Sequence, residues 1–523
     1  MRDALKFKFL CVLAVAVLAA AVYGRTIFAD FVWEDAPFIL NNAYVHSLGN
    51  VPSFFTAGDS VGTDMVNPYY RPVTTTTFTL DYNLWKGSPA GFHATNVAFH
   101  IGAAILFLLL LAEFMSLYAA FPAALLFALH PALVEPVAYV SGRADAVCSF
   151  FLLASVLAFT GELEKRNRVR GSLAVILCAF SLMAKEVGVL TPAVIAGVIW
   201  LKGKGRRDWL WLLPFAAVTA AYLFMRHAAA GVTGVGTDPL ATRIATAGVL
   251  FWRYALMSVF PFGLDYFYFL PPWTDPFSLG VVAAWAALFA VFATIARGLL
   301  LKSPAALGFA WYFAGLAPVS GLLMLMGPAL MSHRYLYVPL LGGLFGVAAL
   351  LDRALSHGPL KGRGREVLSA FTALALAFGF TAFGRAGTWK DNLSLWGAAY
   401  AENPDVAGAA DGYASALIHA NRCDEAERVL RDAREKGAGD AGNAILHAII
   451  AISGGRYTQA VSETRAVLDA EPENAWALSI LAEALFYSGD PCAARRAADK
   501  AASLSPNDGR LAELAASLRE ACP

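Results

Sequence analysis

Two carboxylates stand side by side in the segment Phe31-Val32-Trp33-Glu34-Asp35, just past an apolar run that begins at Phe9. Paired carboxylates can take a proton from a hydroxyl as its oxygen attacks an electrophile. Residues that could complement them follow along the chain: Tyr70-Arg71-Pro72, His93, Glu135, Arg143 and Asp145, Lys185-Glu186, and His333-Arg334-Tyr335. Cationic side chains among them can hold a phosphate and stabilise the charge left on it as it departs. The chain has no Ser-His-Asp arrangement, no H-E-x-x-H and no glycine-rich nucleotide loop. No metal-ligand spacing is present either, so no metal site is expected, and the need for a divalent cation stays open. A net charge of +1 argues against a nucleic-acid footprint.

Each of these residues also has a plainer role open to it. Asp35 could cap the helix that follows, since aspartate favours helix N-termini, and Arg143 could pair with Asp145 to fix a short turn. Lys185-Glu186 could snorkel at the end of a span. His130, before Pro131, reads as a satisfied core histidine, and Arg334 could anchor an aromatic belt. Location separates the readings: charge at membrane depth is costly and marks a buried polar pathway or site.

The elements that must carry these residues are mostly apolar. The 523 residues are 58% hydrophobic and only 15% charged, with a mean hydropathy of +0.56. A soluble enzyme could not keep that much apolar surface dry. Segments approaching the roughly 20 residues a crossing needs fall at about 9–28, 94–112, 117–133, 146–161, 171–187, 188–201, 209–226, 279–299, 305–325, 336–352 and 367–384. Lys6 and Lys8 before the first of them mark a signal anchor or a cleavable signal peptide, and either starts the chain on the cytoplasmic side.

The connections then expected in the cytoplasm hold Lys165, Arg166, Arg168 and Arg170; Lys202, Lys204, Arg206 and Arg207; Arg297 and Lys302; and Arg353, Lys361, Arg363 and Arg365. Lysine and arginine are retained on that side, which supports about 11 crossings and an exported C-terminus. Residues 246–262 contain Arg253, and a crossing there would invert every later loop. They are expected to lie at the interface or re-enter from it. The first exported segment is then 30–92, and all the candidates approach one outer face.

A different pattern governs the tail. Ala414, Ala448 and Ala482 recur every 34 residues, as do Ala426, Ala460 and Ala494, with Asn421, Gly455 and Gly489 on the intervening turn. That period is the tetratricopeptide (TPR) repeat's. Three repeats and a capping helix are expected over 404–523, behind a connector at 385–403. In such a stack Cys492 and Cys522 fall at one edge. A disulfide suits an exported, oxidising compartment, and two unpaired thiols are the alternative. Cys11, Cys148 and Cys178 lie inside apolar spans and read as small hydrophobes.

Taken in order, Phe31-Val32-Trp33-Glu34-Asp35-Ala36-Pro37, Tyr70-Arg71-Pro72, Gly91-Phe92-His93 with Asn96 and His100, His130-Pro131 through Glu135 to Gly142-Arg143-Ala144-Asp145, Lys185-Glu186, His333-Arg334-Tyr335-Leu336-Tyr337 and Trp389 with Trp396 form one ordered set. That set resembles the transmembrane-and-TPR O-mannosyltransferase family and its bacterial relatives, over nearly the whole chain. The likeness implies a GT-C glycosyltransferase fold, a catalytic first exported loop, a polyprenyl-phosphate sugar as donor and inversion at the anomeric carbon. The family's carboxylate pair maps onto Glu34 and Asp35. Many relatives carry two aspartates there, and often an acidic residue where this chain has His333.

On that likeness the expectation is an all-α chain: a polytopic GT-C-like membrane domain over 1–384, followed by a TPR α-solenoid. It would sit in the inner (cytoplasmic) membrane of a bacterium, N-terminus cytoplasmic, loop 30–92 and TPR domain periplasmic. As an enzyme it would move sugar from a polyprenyl-phosphate carrier to a hydroxyl of a protein or peptide presented by the TPR domain. Asp35 would act as base with Glu34 assisting, and Arg71, Arg334 and Lys185 would hold the phosphate. Tyr70, His93, Glu135, Arg143, Asp145, Glu186, His333 and Tyr335 would complete the site. The alternative is a membrane-anchored scaffold whose TPR array recruits assembly or secretion partners. The outer-face charges weigh against it, because an anchor does not need them.

Overall fold

The computed structural model describes residues 2–57, 69–203, 205–230, 238–322, 330–438, 441–506 and 508–522. Among the described residues the regular structure is helical throughout, with no strand. Seven helices are long and apolar enough to cross a bilayer: Leu5–Phe28, Pro89–Leu111, Val140–Lys165, Arg206–Ala229, Leu279–Leu300, His333–His357 and Gly364–Thr388. Leu117–Ala128 and Pro131–Ala138 add an eighth if taken as one span bent by 48°. The chain is a multi-pass membrane protein.

The apolar segments come in the expected order, but three are shorter than a crossing. Arg168–Ala184, Leu190–Lys202 and Pro304–Leu316 have 17, 13 and 13 residues. At a rise of 1.5 Å per residue, 13 residues reach about 20 Å of a hydrocarbon core about 30 Å thick. Hydropathy alone counts straight through the breaks at Lys185 and Ala317, where the helices end in tighter turns. A tally of about 11 crossings therefore includes these short helices beside the full-length spans.

One end of the bundle collects the loops rich in lysine and arginine. Lys202 Nζ donates to Glu164 Oε1 at 2.9 Å and to the Glu113 carbonyl at 2.8 Å, and Arg166 pairs with Asp208. Ser116 donates both its backbone N–H and its hydroxyl to Asp352. The opposite end gathers the described part of segment 30–92, the turns at 130–145 and 185–189, and residues 330–337.

Residues 246–262 fall largely in the helix Leu240–Val259. Thr242, Ala245, Thr246, Leu250, Phe251, Tyr254 and Met257 are buried, whereas Leu256 and Val259 are exposed, an amphipathic helical period. Its course follows from two bonds to the helix Leu279–Leu300. Trp285 Nε1 donates to the Ile244 carbonyl, and Trp252 Nε1 donates to the Ala284 carbonyl, each at 3.0 Å. Phe251 also meets Phe292 with ring centroids 6.4 Å apart, so the two helices touch at more than one level.

In the tail, antiparallel helix pairs follow the 34-residue period: Ala407–His419 with Cys423–Glu435, Ala441–Ser453 with Tyr457–Ala470, and Ala475–Tyr487 with Pro491–Leu504, then Gly509–Ala521. Ala414, Ala448, Ala482, Ala426, Ala460 and Ala494 are all fully buried, because only a methyl fits where the paired helices approach. Asn421, Gly455 and Gly489 hold the turns with φ of 58°, 72° and 92°, a left-handed backbone that asparagine and glycine tolerate. Cys492 and Cys522 are joined by a disulfide, Cα–Cα 5.3 Å.

Residues 385–403, expected as a connector, are the end of Gly364–Thr388 and a further helix, Asn392–Glu402. Asp391 caps that helix by accepting from the Ser394 N–H at 2.7 Å. Tyr400 stacks on Tyr413, which joins it to the first repeat.

Candidate active site

Segment 30–92 begins with a forced turn. Trp33 has φ of 54°, a region that a bulky side chain rarely occupies and that marks a site held by its surroundings. Its N–H donates to Asn392 Oδ1 at 2.8 Å. Its indole stacks on Tyr139 and meets Phe267 and Trp396 edge-on.

Past this turn the two carboxylates part company. Glu34 lines a cavity of about 1290 Å³, where Tyr139 OH donates to its Oε2 at 3.1 Å. Asp35 is fully buried. Its Oδ2 accepts from the Val32 N–H at 3.0 Å, and its Oδ1 accepts from Ser141. Burial pushes its carboxyl up to about 6, while the Ser141 hydroxyl and the Val32 and Ser141 N–H groups pull the other way. Although Asp35 precedes the short helical turn Ala36–Leu40, its side chain does not cap it.

The cavity brings together Glu34, Arg71, Glu135, Asp145, Lys185, Glu186, Arg334 and Tyr335. These come from segment 30–92, the 130–145 turns, the 185–189 turn and the start of His333–His357. Carboxylate and cation alternate in pairs: Arg71 with Glu186 at 2.9 Å, Lys185 with Asp145 at 2.5 Å, and Arg334 with Glu135 at 2.8 Å. Arg143 and Asp145 do not pair with each other, nor do Lys185 and Glu186 form a snorkelling couple. Arg334 also lies over the Trp33 ring, 5.5 Å from its centroid, and Arg71 over Tyr69 at 3.9 Å. Much of the remaining wall is aromatic and aliphatic, with Asn42, Thr74, Thr75, Ser141, Arg226, Ser332 and Asp405 among it.

Four expected site residues, Tyr70, His93, Arg143 and His333, are buried behind this wall and do not line the cavity. Tyr70 donates to the Phe55 carbonyl, and the buried His93 lies 3.3 Å from the Asp30 carbonyl. His333 lies between Glu135 and Tyr268. Arg143 is fully buried. It pairs with Asp81 at 2.5 Å and donates to Asn96 Oδ1, Thr77 Oγ1 and the Phe92 carbonyl. Asn96 in turn donates to the Val137 and Tyr139 carbonyls. This network fixes the turn that presents Tyr139 to Glu34 and Ser141 to Asp35, so Arg143 positions the site without touching the cavity. His130 is a buried, satisfied histidine: its Nδ1 accepts from the Ala132 N–H, and its Nε2 lies 3.2 Å from the Ser258 carbonyl.

Sequence reasoning missed Asp81, Tyr139, Ser141, Tyr222 and Arg226. A lone aspartate inside Pro72–Trp85 and an arginine near the end of an apolar helix were the available signals. The connector and the tail also reach the site: Phe267 stacks on Trp396 with centroids 4.7 Å apart, and Asp405, Val406, Ala407 and Gly408 complete the wall. Among the described residues no three His, Cys, Asp or Glu side chains gather as metal ligands.

No protein-family model matches the chain. Among curated proteins it is 26% identical over 399 residues to Protein O-mannosyl-transferase F38B6.6 of Caenorhabditis elegans, covering 72% of this chain and 56% of that protein. It is 34% identical over 187 residues to Protein O-mannosyl-transferase TMTC3 of Mus musculus, covering 34% of this chain and 20% of that protein. With TMTC4 of Homo sapiens the figures are 30% over 205 residues, 34% of this chain and 27% of that protein. The chain thus spans about half the length, or less, of these curated relatives. Among solved structures, an archaeal oligosaccharyltransferase, AglB from Archaeoglobus fulgidus, in complex with an inhibitory peptide and a dolichol-phosphate, aligns over 73% of this chain and 56% of its own at 13% identity and a TM-score of 0.40. In sequence the chain resembles transmembrane-and-TPR O-mannosyltransferases, the likeness that its ordered motifs carry.

Proposed function

We propose that this relative of the O-mannosyltransferases is a membrane glycosyltransferase that moves a sugar from a polyprenyl-phosphate carrier to a hydroxyl of a protein or peptide, on the extracytoplasmic side and with inversion. The observation that carries the reading is the cavity itself, in which a carboxylate faces a set of cations inside a membrane bundle. Glu34 is the base, because it faces the cavity while Asp35 is buried against Ser141. As the acceptor oxygen attacks the anomeric carbon, Glu34 takes the hydroxyl proton and the new glycosidic bond forms. The bond from that carbon to the phosphate oxygen breaks, and the phosphate leaves with the electron pair. Inversion follows from attack opposite the leaving group. Arg334, Arg71 and Lys185 lower the energy of the departing anion.

Two features support an extracytoplasmic site. The loops rich in lysine and arginine lie at the opposite end of the bundle, and such residues stay on the cytoplasmic side. The tail, on the same side as the cavity, carries a disulfide, which persists in oxidising compartments. The inner membrane of a bacterium is the setting that fits these features.

The test is to incubate the purified chain with a panel of polyprenyl-phosphate sugars and a hydroxyl-bearing peptide, and to follow donor and product by mass spectrometry. Mannose, the sugar in the relatives' names, is the first to try. Donor consumption that depends on Glu34 is expected. If no donor is consumed under any condition in which the protein stays folded, the reading is wrong.

A further inference from the structure

The cations that line the cavity differ in what holds them. Arg71, Lys185 and Arg334 each have a carboxylate partner, so each brings little uncompensated charge to an incoming anion. Arg226 lines the same cavity. Among the described residues no carboxylate pairs with it, and its Nε is buried with no hydrogen-bond partner. One helical turn earlier, Tyr222 also lines the cavity. Its side chain is only 2% exposed, and its hydroxyl is likewise buried without a partner.

A buried donor left unmade is costly, and native structures hold few of them. Two such donors on one face of one helix, opening into one cavity, can be satisfied by one shared occupant. It must accept hydrogen bonds from a guanidinium and a phenol, and its charge must be negative. A phosphate group has that chemistry.

The surroundings indicate how the phosphate arrives. The helix Leu212–Ala230 lies within a span long enough to cross the bilayer. Leu223, between the two donors, lines the cavity yet is 50% exposed, and the adjacent Phe224 is 74% exposed. Val189, also on the wall, shows 37% of its surface. The anion seat therefore borders an opening flanked by apolar side chains near the end of a candidate span. A phosphate carried on an apolar chain could reach it with its tail still in the bilayer.

We propose that Arg226 and Tyr222 form the seat for the phosphate of the lipid carrier, admitted sideways from the bilayer past Leu223 and Val189. This rests on the glycosyl-transfer reading above and adds to it the residues that grip the donor. The paired cations then act on the charge that develops as the sugar leaves, while Arg226 anchors the phosphate throughout.

The test measures binding of three probes to the full chain in lipid nanodiscs: a short polyprenyl phosphate, the matching polyprenol and inorganic phosphate. The wild type is expected to prefer the polyprenyl phosphate to both others. Arg226→Gln should weaken polyprenyl-phosphate binding by at least about tenfold and leave polyprenol binding unchanged, and Tyr222→Phe should weaken the former by about threefold. Wild-type affinity in both variants would overturn the seat. If Arg226→Gln fails to fold, Tyr222→Phe decides, and an unchanged affinity there overturns it. Inorganic phosphate competing as well as the lipid would overturn entry from the bilayer. Arg226-dependent binding in a protein that transfers no sugar supports the seat and removes the transfer reading, so the two failures are distinguishable.

Discussion

Ser141 clamps Asp35 twice: its backbone N–H and its hydroxyl both donate to Asp35 Oδ1, at 2.7 and 2.6 Å. The clamp ties the start of segment 30–92 to the first turn of Val140–Lys165, more than one hundred residues later. It commits Asp35 to holding the loop and leaves its neighbour Glu34 to face the cavity.

The two carboxylates should therefore fail differently when neutralised. Glu34→Gln keeps the loop and removes the proposed base, and is expected to cut sugar transfer by at least about 100-fold with little change in melting temperature. Asp35→Asn keeps one acceptor for Ser141 but sets an amide donor against the Val32 N–H, so a partial loss of about tenfold is expected. Equal, complete losses in single-turnover transfer would return the base to Asp35.

Asp35 also gives stability a dependence on pH. Its carboxyl stands at about 6 in the folded chain against 3.8 ordinarily, so between those values the folded state holds a proton that the unfolded state has lost. The contribution is fully present below about pH 4, falls as pH rises to about 6 and is flat above, a change of about 3 kcal/mol. Melting curves of wild type and Asp35→Asn across pH 4–7 check this. The difference between them should vary below pH 6 and stay constant above it.

Arg143 and Asp81 form an ion pair with almost no exposure to solvent. Removing one partner leaves a buried charge, so Arg143→Leu should destabilise by about 3–5 kcal/mol, and adding Asp81→Leu should recover part of that loss. Thermal denaturation of the single and double variants measures the coupling. A single variant that melts like the wild type would remove Arg143 as the hub of the turn.

Because Asp405 to Gly408 and Trp396 complete the cavity wall, the tail is more than a recruiting arm. A chain ending at residue 403 should lose transfer even to a minimal hydroxyl peptide. One ending after Cys423–Glu435 keeps the wall and should retain measurable transfer. Substantial activity in the shorter chain would make the tail dispensable for chemistry and restrict it to acceptor recruitment.

The disulfide closes a separation of 30 residues, for which loop-closure entropy suggests about 3–4 kcal/mol. Reduction, or Cys492→Ser with Cys522→Ser, should loosen Pro491–Leu504 and Gly509–Ala521 alone, since each repeat contacts only its neighbours. Amide hydrogen exchange reads this directly. Faster exchange reaching Ala407–His419 would mean the solenoid opens as one unit.

Much of the molecule was legible in its residues. The alanines at Ala414, Ala448 and Ala482, with the turn residues Asn421, Gly455 and Gly489, specify a helical array because the geometry of each repeat depends on near neighbours. The order of apolar segments and the single face shared by the ionisable residues follow from the cost of placing charge in hydrocarbon, which a linear reading can count. Helix lengths were less legible. Hydropathy continues through Lys185 and Ala317, whereas the backbone does not.

What only the tertiary structure decided is which side chain meets which. Glu34 and Asp35 are chemically near-equivalent and adjacent, yet the reversed backbone at Trp33, held by Asn392 from the far end of the chain, exposes one to the cavity and buries the other. Arg143 bypasses Asp145, two residues away, for Asp81, and Lys185 takes Asp145 instead. Among the described residues no carboxylate pairs with Arg226. Local pattern depends on spacing along the chain and can be read from it. Partnership depends on distances of a few ångströms between segments far apart in sequence, which exist only once the helices have packed.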